Sequence, residues 1–375
     1  MVVGAENIEG NDSSELGWYA FDPKAVSMGD SILAIWKVDS DGQKPNVYMR
    51  LLDSNAIPIG EVNLLFERHM RSQSGVLMRQ GDNAVLTYCG RYKVGAYFED
   101  EDRITSTFLD SYGHPISEQV RSPTNRVCTY ASGEAIWTGS RMIFAWTDVN
   151  SSVNSSFGNP DLLLDIADVN GNSISWKSVR SGAASNPHLA IGHGRMLVVV
   201  ATRTGMLAIH RFDLEGNESG EPVILKRLNY EVNGKIVNGA FTVPYIVPTD
   251  DGWMVIAAST TSGVYIVHLA PDGSLISDPV VVEKNLYFAN GLSDVISYRG
   301  GAVILGQLYK GYVVLFISDN GVVDQQWYPK QDKQPIYEGS FFEHQGHLFL
   351  IYTSEPTSRN PMTNQVLIRE LQCVP

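Results

Sequence analysis

"HRFDLEGNESGEPVIL", residues 210–225, joins two strand-like runs through a short polar turn. The first run ends at Asp213, and a second apolar run begins at Pro222. Alone, this pattern predicts a β-hairpin. Similar stretches occur five more times, beginning at Met49, Ser106, Asp165, Val267 and Leu315. Self-similarity of this kind along a chain indicates a repeat protein.

Two further markers give the number of repeats. Each hairpin has an acidic residue at its turn, and these residues are separated by 57, 58, 45, 59 and 47 positions: Asp53, Asp110, Asp168, Asp213, Asp272 and Asp319. A glycine followed by a run of strand-forming residues occurs seven times: Gly29, Gly81, Gly139, Gly194, Gly252, Gly301 and Gly346. The mean spacing of these glycines is about 53 residues, so the chain contains about seven units.

Each unit has the pattern of four short strands. The fourth unit shows all of them, at about 186–191, 195–201, 206–212 and 222–226. Four strands in each of seven units predict an all-β fold, a seven-bladed β-propeller formed by one domain. Two unrelated all-β domains are the alternative. The expected blades are 16–66, 67–121, 122–180, 181–228, 229–284, 285–330 and 331–375.

The last unit has only three of its four strands, because the chain ends after "QVLIRELQCVP" at 365–375. Residues 2–8 form a strand-like segment without a partner in the first unit. An open sheet edge is a site of aggregation, so a propeller must close its ring. We therefore expect the N-terminal strand at 2–8 to complete the last blade.

Composition restricts the partners of the protein. The formal net charge of −13 over 375 residues argues against nucleic acid, which requires a basic surface. The sequence has no apolar run of the roughly 20 residues that a membrane-spanning helix needs. The N-terminus lacks the basic-then-apolar order of a signal peptide, so the chain is either not exported or begins after a cleavage site. We expect a monomer.

The hairpin pattern resembles a known class of repeat. A strand followed by D-x-x-G-x-x-x-x-x-P is similar to propeller repeats of bacterial secreted and cell-surface proteins, and "RFDLEGNESGEPV" and "HLAPDGSLISDPV" carry it best. The resemblance implies a propeller fold and an extracellular or cell-envelope location, and it implies no catalytic residues. The Ser-x-Asp-x-Gly-x-x-Trp box of sialidases is absent from the sequence, which argues against that class of enzyme.

Motifs of nucleotide binding and nucleophilic catalysis are also absent from the sequence. "HQGH" at 344–347 could chelate a metal, but a solvated turn that contains two histidines is the favoured explanation. "DVNGN" at 168–172 has the oxygen side chains that calcium prefers, but it lies where a hairpin needs turn residues. A divalent cation such as calcium is therefore an optional cofactor, and no other cofactor is expected.

Repeated aromatic residues and one long insertion leave other interpretations open. Trp36, Tyr88 and Trp146 each lie seven residues after an aligned glycine, which favours packing between blades over sugar-stacking platforms. The polar insertion at 148–161 is either the flexible tip of a hairpin, which is the favoured interpretation, or a loop that binds a partner, because loops on a rigid scaffold vary freely.

The starts of the innermost strands supply the candidate ligand site. Seven such strands would bring polar residues together at the mouth of a central channel. The candidates are Arg79, Tyr130, Glu134, Asn186, His188, Asn238, Asn290, Asp294 and Glu338.

Two function classes remain open for this site. One is a binding module for a small polar ligand, a saccharide or anion, or a protein partner. The other is an enzyme of the hydrolase, lyase or cyclase type, with one asymmetric active site in the funnel.

Overall fold

Most of the chain forms short antiparallel strands in the computed structural model. The structure describes residues 6–7, 19–39, 45–66, 75–93, 100–121, 134–148, 161–180, 187–202, 204–232, 235–259, 263–283, 288–308, 311–321, 323–327, 336–354 and 365–371. Within these residues there are seven four-stranded sheets, one two-stranded sheet and no helix. The four-stranded sheets are the blades of the β-propeller that the repeat count predicts.

The chain divides into two compact units. The first unit combines Met1–Ser132 with Pro329–Pro375 and contains three blades. Its strands are β1 (Glu6–Asn7), β2 (Tyr19–Met28), β3 (Ser31–Asp39), β4 (Asn46–Leu52), β5 (Pro58–Phe66), β6 (Val76–Gln80), β7 (Asn83–Lys93), β8 (Asp100–Leu109), β9 (Pro115–Val120), β28 (Ile336–His344), β29 (His347–Ser354) and β30 (Val366–Leu371).

The second unit, Gly133–Tyr328, contains four blades. Its strands are β10 (Glu134–Trp137), β11 (Met142–Asp148), β12 (Asp161–Ala167), β13 (Ser173–Arg180), β14 (His188–Gly192), β15 (Arg195–Ala201), β16 (Leu207–Phe212), β17 (Val223–Leu225), β18 (Leu228–Val232), β19 (Lys235–Gly239), β20 (Phe241–Thr249), β21 (Gly252–Ser259), β22 (Gly263–Leu269), β23 (Val280–Glu283), β24 (Phe288–Tyr298), β25 (Gly301–Leu308), β26 (Gly311–Ile317) and β27 (Val323–Trp327).

The N-terminal strand closes the last blade, as the sequence predicts. Glu6 pairs with Ile368 and Asn7 with Leu367, which places β1 beside β30. The order of this sheet is β1-β30-β29-β28, so a strand from the beginning of the chain is its outer strand.

The repeated aspartates are structural residues of the hairpin turns. Asp53 Oδ1 accepts the backbone N–H groups of Asn55 and Ile57, at 2.8 and 2.9 Å. The corresponding bonds at Asp110 and Asp168 have similar lengths, 2.8 to 2.9 Å. A side chain that mimics a turn in this way explains why Asp recurs at this position in the first four blades.

In two of the six hairpins, the acidic residue aligned by sequence does not occupy the same turn position as in the other four. In the fifth blade, the backbone N–H that closes the turn belongs to Ala270, and it donates to Ser274 O at 2.8 Å. Gly321 N–H donates to Ser318 O at 2.9 Å in the sixth blade. Ala270 and Ser318 therefore occupy the first position of the turn in these two blades. Asp272 lies two residues after this position, and Asp319 lies one residue after it. A turn tolerates several polar residues, so chemistry alone does not fix the alignment.

The cores lie between successive blades of each unit. Trp253 is fully buried among apolar side chains of the fourth and fifth blades. Trp36, Tyr88 and Trp146 are only 2%, 3% and 3% exposed, which confirms that these aromatics fill the core. Burial of a large aromatic side chain is worth several kcal/mol in order of magnitude, so the repeated position stabilises each blade.

Candidate functional site

Four of the nine predicted site residues lie on the innermost strands of the second unit, and the side chains of three of them are described. Glu134 and His188 are the first residues of β10 and β14, and Asp294 lies in β24. The structure adds Tyr245, in β20, to this set. We call these four residues the inner-strand cluster.

Glu134 joins two neighbouring blades. Its Oε1 lies 3.1 Å from His188 Nε2, and its Oε2 accepts the backbone N–H of Leu189. The side chains of Glu134 and His188 are 23% and 16% exposed, so both remain partly accessible. The carboxylate is therefore held in one orientation by groups of the next blade.

The hydrogen bonds of His188 define its protonation state. The backbone N–H of Ile246 donates to Nδ1 at 3.3 Å, so this nitrogen has no proton. The other nitrogen, Nε2, then carries the proton and donates to Glu134. Burial lowers the pKa of His188 to about 3, and a ring whose Nδ1 is an acceptor stays neutral in spite of the nearby carboxylate.

Tyr245 lies against the imidazole of His188. The ring centroids are 4.3 Å apart at an angle of 55°, and the phenol donates to Ser293 O at 3.0 Å. Burial raises the pKa of Tyr245 well above 10, and the charges of Asp294 and Glu134 raise it further. The hydroxyl thus remains protonated, which makes it a poor nucleophile and a good hydrogen-bond donor or acceptor.

Glu338, on β28, belongs to a separate cluster in the first unit. Its Oε2 accepts the backbone N–H of Asp22 at 2.8 Å. Asp22 in turn accepts the N–H of Gly75 at 3.1 Å and pairs with buried Lys37 at 2.8 Å. Burial alone would raise the pKa of Asp22, but Lys37 and Lys24 outweigh it and lower the pKa. Burial raises the pKa of Glu338, so this carboxyl takes up a proton more readily.

Two predicted residues lie away from the starts of the innermost strands. Arg79 is exposed near the end of β6, where its Nε donates to Gly81 O at 2.7 Å. Asn238 lies in β19, which pairs with β18 and precedes the inner strand β20. The Asn-Gly pair at 233–234 is a strong hairpin signal, and it explains why this segment forms an extra hairpin.

The structure gives no side-chain contacts for the remaining three predicted residues, Asn290, Tyr130 and Asn186. Asn290 lies near the start of β24, and only its backbone position is described. Tyr130 and Asn186 lie outside the described residues, as does most of the 148–161 insertion.

Asp22 and Tyr245 were not predicted from the sequence, and each of them lies at a proline-containing bulge, the signal that could have located it. Pairing shifts between Phe21 and Lys24 in β2, and between Thr242 and Tyr245 in β20. Both bulges have proline as their second residue, "DP" at 22–23 and "VP" at 243–244. A bulge re-aims the side chains beside it, which turns Asp22 and Tyr245 toward their neighbouring blades.

The candidate metal motifs have other partners. His344 is buried and its Nδ1 lies 2.9 Å from Ser27 Oγ, whereas exposed His347 lies 2.7 Å from Glu370 Oε1. Asp168 accepts bonds from Asn170 and Asn172 in its turn. In the described part of the chain, no group of three or more His, Cys, Asp or Glu is arranged to hold a metal ion.

Comparison with known proteins identifies the fold. No family model and no curated protein sequence matches the chain. The N10 neuraminidase-like protein of A/little yellow-shouldered bat/Guatemala/060/2010 is similar with a TM-score of 0.50 and 11% identity, over 99% of this chain and 98% of that one. The N11 neuraminidase-like protein of A/flat-faced bat/Peru/033/2010 has a TM-score of 0.51 and 10% identity, over 99% and 94%.

A third similar structure is a sialidase of Trypanosoma rangeli in complex with the inhibitor DANA. Its TM-score is 0.49 and its identity 8%, and the match covers 94% of this chain and 55% of the sialidase. The chain thus spans little more than half the length of that sialidase. At identities this low, the similarity to the two neuraminidase-like proteins shows the propeller fold alone. No helix in the described residues is long and apolar enough to cross a membrane.

Proposed function

We propose that the protein is a binding module that recognises a neutral, hydroxyl-rich ligand of the saccharide class at the inner-strand cluster. The observation that carries this proposal is the hydrogen bonding of Glu134 and His188. Both side chains are partly accessible, and backbone groups of the next blade hold both in place. Polar groups that are already ordered lose little conformational entropy when a ligand binds.

The charge of the cluster selects the class of ligand. Carboxylates only accept hydrogen bonds, and sugar hydroxyl groups can donate to them. The charges of Asp294 and Glu134 both raise the pKa of Tyr245, so the local field is negative. A negative field opposes an anionic ligand, and we therefore favour a neutral saccharide over the anion that the sequence left open. The secreted or cell-envelope location implied by the repeat resemblance is compatible with such a ligand.

The enzyme alternative has one supporting observation, which is the raised pKa of Glu338. A carboxyl group that holds its proton closer to neutral pH can act as a general acid. In the second unit, Tyr245 does not favour catalysis, because its raised pKa makes its hydroxyl group hard to ionise. Binding is therefore the function that the described geometry supports best.

A panel of neutral sugars tests the proposal. Lactose, cellobiose and N,N′-diacetylchitobiose would be titrated calorimetrically, with sialic acid as the anionic comparison. We expect one neutral disaccharide to bind, and Glu134→Gln and Asp294→Asn each to weaken it about tenfold, equivalent to about 1.4 kcal/mol. Glu343→Gln, at an exposed carboxylate of the first unit, is the control and should change nothing.

Two results would overturn the assignment. Full affinity in both cluster variants would move the site elsewhere, and tighter binding of sialic acid would contradict the charge argument. The enzyme alternative predicts instead that wild-type protein hydrolyses nitrophenyl glycosides and that Glu338→Gln abolishes the turnover.

A further inference from the structure

A cavity lies in the second unit, beside the turn after the inner strand of the fifth blade and the turn after the third strand of the sixth blade. Its volume is about 340 Å³, which is within the range of small-molecule sites. The turn after β20 and the turn after β26 both contribute lining residues. We call it the turn groove. It shares no lining residue with the inner-strand cluster.

The apolar part of the turn groove is rigid. Trp253 and Leu269 border the groove and are 0% and 1% exposed, so the surrounding core holds them in place. The indole Nε1 donates to Pro271 O at 3.3 Å, and the edge of the His193 ring packs on the indole at 5.5 Å. The side chain of Ile276, 61% exposed, supplies an apolar wall that is open to solvent.

The turn that carries Asp251 is also fixed. His193 Nε2 lies 2.8 Å from Gly252 O and 3.0 Å from Thr249 O. Both partners are carbonyl oxygens, so Nε2 carries the proton and donates to both ends of this turn. The position of Asp251 relative to the groove is thus held by a side chain from the neighbouring blade.

Two carboxylates line the groove without compensating charge. Asp251 and Asp319 are exposed, and neither has a hydrogen-bond or ion-pair partner among the residues that the structure describes. Other turn aspartates of this chain, such as Asp213, use their carboxylates to order the turn. These two do not, so their charges remain available to a ligand.

We propose that the turn groove binds a cationic group, ammonium or guanidinium, at the end of a short aliphatic chain. The two carboxylates would accept hydrogen bonds from the cation, which are the stronger, charge-assisted kind. The exposed side chain of Ile276 would cover the aliphatic carbons. The net charge of −13 attracts such a ligand from a distance.

This chemistry has two sources, a free amine or the Arg or Lys side chain of a polypeptide. Agmatine represents the free ligand, and a short Gly-Arg-Gly peptide with blocked ends represents the polypeptide. A Gly-citrulline-Gly peptide of the same shape but without charge is the matched neutral probe. Each would be titrated into the full chain at low ionic strength, because salt screens exposed charges.

We expect agmatine to bind, and the double variant Asp251→Asn, Asp319→Asn to weaken it at least tenfold. The double variant Asp82→Asn, Glu343→Gln makes the same change in net charge at two exposed residues of the first unit, and it should bind as the wild type does. Circular dichroism and melting temperature check that both variants fold. A stronger response to the Arg peptide than to agmatine would identify the polypeptide source.

Three outcomes would overturn the proposal. They are equal binding of agmatine to both double variants, equal binding of the citrulline and arginine peptides, and no binding of any cation at about 10 mM. Since these probes carry no sugar, their failure would leave the saccharide assignment of the inner-strand cluster unaffected.

Discussion

At the scale of single residues, polar side chains connect the innermost strands of neighbouring blades. Glu338 binds the N–H of Asp22, and Asp22 binds that of Gly75. Glu134 and His188 make the same kind of contact with the blades that follow them. A buried N–H needs such a partner, so these residues stabilise the fold whether or not they bind a ligand.

The neutral state of His188 has a consequence for acid stability. Its pKa is near 3 in the folded protein and about 6.5 when unfolded, so its contribution is complete above pH 6.5 and is lost as the pH falls toward 3. The His188→Gln variant cannot titrate at this position. Between pH 6.5 and 4, we expect its free energy of unfolding to fall less than that of the wild type, by on the order of 2 kcal/mol. Urea unfolding at several pH values measures this, and parallel curves for both proteins would refute it.

The turn aspartates provide a second prediction at this scale. Asp110→Ala removes an acceptor from the N–H groups of Tyr112 and His114, and it should lower the free energy of unfolding by about 1 kcal/mol. Asp110→Asn keeps an acceptor oxygen and should cost less. Chemical denaturation compares the two, and equal losses would mean that the turn does not depend on the side-chain oxygen.

At the scale of elements, the outer strand of the last blade comes from the other end of the sequence. Among the residues that the structure describes, Glu6 and Asn7 pair with β30 and cover that part of its edge. Deleting residues 1–10 should therefore expose β30, lower the melting temperature and promote aggregation. Light scattering and calorimetry measure both effects. A truncated protein that melts at the same temperature and stays monomeric would show that β1 does not stabilise the last blade.

At the scale of the whole molecule, repetition made the fold predictable and the contacts of individual side chains unpredictable. Seven glycines and their strands gave the blade count, and an incomplete last unit gave the closure. Glu134, His188 and Asp294 could be proposed because polar residues at inner-strand starts are visible in sequence. Tyr245 could not, since its orientation depends on a bulge, and Asn238 was assigned to the wrong strand because a hairpin precedes β20.

The central claim is that a neutral saccharide binds at the inner-strand cluster, and nuclear magnetic resonance tests it most directly. The amides of Leu189, Ile246 and Val295 are bonded to Glu134, His188 and Asp294, the last at 2.9 Å. Titration of the deuterated protein with lactose, cellobiose and N,N′-diacetylchitobiose should shift these three amide signals together. Shifts confined to other parts of the chain, or no shift with any of the three sugars, would contradict the claim.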